Sequence, residues 1–61
     1  MKINDIVTPS HWMTHECLGI PYDDRKFKVI AFLGINNISV ESLSTGKSYI
    51  TFIGNFKLLE D

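Results

Sequence analysis

His11, His15, Glu16 and Cys17 are the residues whose types and spacing could do chemistry. Imidazole and thiolate suit zinc, and a closed structural zinc site needs about four protein ligands in a tetrahedron. Were 10–17 helical, His11 and His15 would lie one turn apart on one face. Cys17 would not share that face, and no second Cys/His pair exists in the chain. The expectation is therefore no metal and no cofactor. Cys17 beside His15 or His11 is also the minimum apparatus of a thiol nucleophile. A cleft, an orienting group and an oxyanion hole would have to fit into 61 residues as well. Cys17 is read instead as a small buried hydrophobe, and the chain as a non-enzyme with no catalytic residue. Gly46-Lys47-Ser48 matches the tail of a phosphate-binding loop, but positions 41 and 42 are Glu41 and Ser42, so the leading glycine is missing. Tyr49-Ile50-Thr51-Phe52 reads as strand, where that loop needs a helix N-terminus. A hairpin turn is predicted there.

Binding chemistry is better represented. Arg25-Lys26-Phe27-Lys28 interleaves base and aromatic, a pairing that serves phosphate contact and base stacking in nucleic-acid readers. With Lys47 and Lys57 these bases form a candidate nucleic-acid surface, offset locally by Asp23 and Asp24. The net charge is −1. Residues 1–24 hold one base and four acids (1 − 4 = −3), and residues 25–61 hold five bases and three acids (5 − 3 = +2). A domain-wide basic field is excluded; a local patch is not. The first-ranked partner is protein, or a second copy of the chain. Ile30 and Phe32 oppose Val29, Ala31 and Leu33 on their strand, which is more apolar surface than a single core absorbs. Trp12 and Met13 fall in a loop. Exposed apolar patches mark interfaces, and Trp and Tyr are common binding hot spots. The predicted partner surface is Trp12, Met13, Ile30, Phe32 and Tyr49.

The elements that must carry these residues are strands. Ile3 to Thr8 is a strand candidate ended by Pro9, and 10–24 reads as a long irregular loop containing Ser10, Gly19, Pro21 and Asp23-Asp24. From Phe27 to Glu60, apolar strands alternate with tight turns through 34 residues. Phe27, Val29, Ala31 and Leu33 are expected on one face, and Lys28, Ile30 and Phe32 on the other. Gly34-Ile35-Asn36-Asn37 is a turn in which asparagine accepts positive φ. Ile38 to Leu43 alternates, Gly46 supplies positive φ in the next turn, and Ser48 to Ile53 is β-branched and aromatic. Gly54-Asn55 breaks that run before the closing strand, Phe56 to Leu59.

The layout, with Asp5-Ile6-Val7 opening, a long loop, three hairpin-linked strands and Phe56-Lys57-Leu58-Leu59-Glu60 closing, resembles the SH3-like small β-barrel. Similar layouts occur in KOW-type modules and in plasmid-borne trimethoprim-resistant dihydrofolate reductases. The glycine usual before the first strand's acid is Asn4 here. The reductase's Val-Gln-Ile-Tyr type strand has only Ile50-Thr51-Phe52-Ile53 as a counterpart, so the resemblance implies no reductase activity. It implies an all-β, five-stranded barrel over 1–61, acting as a binding module.

Size makes such a domain marginal: about 60% of the unfolded chain's surface is buried at this length. One cysteine allows no internal disulfide. One Trp, two Tyr and four Phe, within 44% apolar residues, suffice for a core. No apolar run approaches the ~20 residues of a membrane span, and Met1-Lys2-Ile3-Asn4-Asp5 does not read as a signal peptide. A cytoplasmic location is expected. Eight Ile and five Lys against one Ala, one Arg and no Gln suit an A/T-rich gene, such as that of a phage or mobile-element accessory protein acting on a host protein.

Overall fold

The computed structural model describes residues 1–59. Its elements are β1 (Ile6–Pro9), α1 (Trp12–Leu18), β2 (Phe27–Leu33), β3 (Asn37–Ser42), β4 (Ser48–Phe52), a 3₁₀ turn (Ile53–Asn55) and β5 (Phe56–Leu58). The fold is all-β in class. One antiparallel sheet runs in the order β4-β3-β2-β1-β5, so β4 and β5 are its edges. The closing segment's Glu60 lies outside the described residues.

The core comes from one face of this one sheet. Val7, Phe27, Val29, Ile38, Val40 and Phe56 are buried there with Ile20, and Leu18, Tyr49 and Ile53 pack against them. The Phe27 ring meets Phe56 of β5 at 5.2 Å and Tyr49 of β4 at 6.0 Å, both edge-on. In a flat sheet the two edges would stand about 19 Å apart, four strand spacings. Both edges reaching one ring therefore means that the sheet is strongly curled.

Two expectations are corrected here. The segment 10–24 is not irregular throughout, because Trp12 to Leu18 form a two-turn helix. Gly19 ends it at φ 69°, a left-handed conformation that costs glycine nothing, and the Ile20 N–H donates back to the His15 carbonyl at 2.8 Å. The second correction concerns β2. Phe27 pairs with Ser42 and Val29 with Val40, but Ala31 then pairs with Ser39 and Phe32 with Ile38. The extra residue, Ile30, forms a β-bulge. Cross-strand partners share a face, so Phe32 lies on the core side with Ile38, while Ala31 and Leu33 lie outside. The predicted alternation holds to Val29 and inverts beyond it.

Smaller shifts follow local chemistry. Strand β1 starts later than Ile3, since Lys2 to Asp5 form a turn with Asn4 at φ 75°. In the β2–β3 turn positive φ falls on Gly34 rather than on an asparagine, and in the β3–β4 turn on Gly46 as expected. The segment Pro21 to Lys26 is tied to the sheet. Ser42 Oγ donates to Asp24 Oδ2 at 2.8 Å and accepts from the Ser44 and Thr45 N–H groups at 3.2 Å.

Candidate functional site

Curling a sheet leaves its convex face to solvent, and this face is unusually apolar. Two rungs cross β2, β3 and β4 on the outside: Ala31–Ser39–Ile50 and Leu33–Asn37–Phe52. Ile50 is 65% exposed and Phe52 53%. Leu33 is also exposed, and Ile35, at the tip of the β2–β3 hairpin, is 95% exposed. Phe52 leans over the 3₁₀ turn, where a Cβ on Gly54 would collide with its ring. The Ile53 N–H donates to the Asn36 carbonyl at 2.7 Å, holding that turn against the hairpin. Strand β4 is an edge with no charged residue between Ser48 and Phe52.

The five predicted partner residues are not brought together. Tyr49 pairs with Val40 and stacks edge-on against Phe27, so it belongs to the core side. Phe32 is on that side too, in register with the buried Ile38, though its own side chain is exposed. Ile30 is exposed in the bulge. Trp12 and Met13 sit on α1 rather than in a loop, and Trp12, 63% exposed, does not fold over the core. The residues the sequence reading passed over are Leu33, Ile35, Ile50 and Phe52. Ile50 and Phe52 were legible as the alternate set in β4; Leu33 was hidden by the bulge.

The five bases scatter. Lys28 stands in register between Ile6 and Glu41. The Lys26 carbonyl accepts from the Leu43 N–H, and Lys47 lies in the β3–β4 turn. Only Arg25 and Lys57 converge, on the outer face of β1 and β5, where Thr8 pairs with Lys57. They line a groove of about 530 Å³ with Thr8 and a smaller hollow of about 160 Å³ with Trp12, His15 and Tyr22.

The His/Cys group divides as well. His15 is buried, its Nδ1–H donating to the Pro21 carbonyl at 3.1 Å and its ring lying 5.3 Å from that of Tyr22. Cys17 is exposed, contrary to the buried thiol expected, because it occupies the solvent side of α1. His11 and Cys17 border a cavity of about 260 Å³ that His15 does not reach. No group of three or more His, Cys, Asp or Glu converges on a common point among the described residues. Tyr22 donates its hydroxyl to Glu16 Oε1 at 2.8 Å, and that hydrogen bond, with the carboxylate's charge, holds the phenol above its ordinary pKa of 10.0. No helix among the described residues is long and apolar enough to cross a membrane.

No family model, curated protein or solved structure matches the chain.

Proposed function

We propose that this chain is a non-catalytic, SH3-like small barrel that binds protein through the outer face of β2–β4 and the free edge of β4. The carrying observation is the apolar stripe of Leu33, Ile35, Ile50 and Phe52 on the convex face. Edge strands of soluble proteins are ordinarily guarded by lysine, proline or a bulge. Ser48 to Phe52 holds none of these within its span. An extended segment of a partner can add to such an edge through main-chain hydrogen bonds, with Ile50 and Phe52 supplying side-chain contacts beside it. The curl that brings Tyr49 and Phe56 to one ring supports a barrel. A phage or mobile-element accessory protein acting on a host protein fits this reading, and so does self-association.

The test is paired substitution with sedimentation analysis and capture from host lysate. Ile50→Lys and Phe52→Lys should abolish concentration-dependent association or the loss-sensitive capture of a partner, with thermal unfolding unchanged. Phe32→Lys should instead lower stability, since its side chain lies on the core side. A wild-type chain that stays monomeric at high concentration, and captures the same proteins as Ile50→Lys, would refute the proposal.

A further inference from the structure

The groove on the opposite flank is built from different chemistry. Arg25 and Lys57 stand where the large groove and the small hollow meet, each lining both. Among the described residues, neither lining includes a carboxylate. Thr8, in register with Lys57 and also lining the large groove, is 3% exposed, and its Oγ1 is buried with no hydrogen-bond partner among the described residues. A buried hydroxyl left unpaired is uncommon and calls for an explanation. Next to the two cations, the hollow is walled by Trp12 and Tyr22, both largely exposed, with His15 behind them. Two positive charges, a hydroxyl unpaired among the described residues and two aromatic faces are thus contiguous, on a chain whose net charge is −1.

We propose that this flank binds a nucleotide unit. The phosphate sits between Arg25 and Lys57 within reach of Thr8, and the base lies against Trp12 and Tyr22. Arginine and lysine are the side chains that take phosphate through charge-assisted hydrogen bonds. Base–aromatic stacking tolerates any base, because each offers a π-face. The orientation is set by Glu16, whose carboxylate accepts the Tyr22 hydroxyl and so repels an anion from the Tyr22 end. The unit can come from a free mononucleotide or from a single strand, and the two sources share the same contacts. A duplex does not fit, since its bases are stacked inside and unavailable to Trp12.

Trp12 is the chain's one tryptophan, so its fluorescence reports this hollow directly. The whole chain is titrated with inorganic phosphate, with adenosine monophosphate and with an oligo-dT single strand. Quenching of Trp12 by the mononucleotide or the strand is expected, with phosphate about tenfold weaker or worse because it cannot stack. A strand that binds more tightly than the mononucleotide identifies the polymer as the source; equal affinity identifies the free nucleotide. For the strand, the one phosphate neutralised between Arg25 and Lys57 gives a log–log salt slope of about −0.7. The Arg25→Gln/Lys57→Gln double variant should weaken binding about tenfold or more, as charge-assisted hydrogen bonds are lost. Lys28→Gln/Lys47→Gln removes the same charge elsewhere and should change affinity much less. Both pairs are checked for unchanged unfolding, and Lys57→Gln alone serves should the first pair unfold. The proposal is overturned when nothing quenches Trp12, when phosphate binds as well as the nucleotide, or when the two double variants weaken binding equally.

Discussion

Replacing Ser42 by Ala removes one oxygen that holds three groups. Ser42 Oγ donates to Asp24 Oδ2 and accepts two backbone N–H groups, from Ser44 and Thr45. Both side chains are buried, Ser42 at 1% exposure and Asp24 at 6%. Asp24 Oδ1 has no partner among the described residues, so Ser42 provides the one side-chain hydrogen bond found to this carboxylate. Stranding a buried polar group costs about 1–3 kcal/mol, and more when it is charged. About 3 kcal/mol is therefore expected for Ser42→Ala. At roughly 0.05–0.15 kcal/mol per residue the whole domain is worth only about 3–9 kcal/mol. The midpoint should fall by about 12–24 °C, at ~4–8 °C per kcal/mol for a domain of this size. Thermal and urea unfolding followed by circular dichroism measure this. Adding Asp24→Ala should recover part of the loss, because the stranded charge goes with it, giving a coupling of about 0.5–3 kcal/mol. A single variant within about 0.5 kcal/mol of the parent, the range of an ordinary surface change, would refute the reasoning. The same substitution should weaken nucleotide binding at the proposed site, because Asp24 anchors the chain next to Arg25.

Tyr22 should deprotonate above 10.0 in a spectrophotometric titration, and Glu16→Gln, by removing the carboxylate, should bring it down toward the ordinary value. A phenol whose pKa is raised by folding favours the folded state below its unfolded pKa, and that contribution is lost as pH climbs through the folded one. Any contribution of this pair to stability must therefore disappear on the alkaline side, above 10.0. Gly19→Ala should cost about 1 kcal/mol in denaturant unfolding, since φ there is 69°; no change would mean that α1 can end in another conformation.

Much of the strand order was legible because turns and alternation are local. The β3–β4 hairpin follows from Gly46 and from the alternation of 38–43 and 48–52. Helix α1 was masked by its shortness and by Ser10, Gly19 and Pro21 around it, which read equally as loop. Gly19 with Pro21 just beyond is also a helix stop signal, and that is the clue that could have revealed it. The bulge at Ile30 leaves no mark, because Val29-Ile30-Ala31 are all apolar and either register satisfies them locally. The partner β3 decides it: Ile38 and Val40 must both point inward, and only one extra residue in β2 lets Phe32 and Val29 meet them. The convergence of Arg25, Thr8 and Lys57 is a product of β1–β5 pairing across the whole chain, which no short window contains.

Ile30 has a genetic reading as well. Val29 and Ala31 pair with the consecutive residues Val40 and Ser39, so Ile30 is a supernumerary residue in the ladder. Loss of its single codon would leave every cross-strand pair of the sheet intact. What it would remove is local twist, since bulges bend the strand that carries them. Sheet curvature, and with it the reach of Tyr49 toward Phe27 and the convexity of the face bearing Ile50 and Phe52, is thus adjustable by one in-frame insertion or deletion. A lineage could reshape that face in one mutational step without altering a core residue.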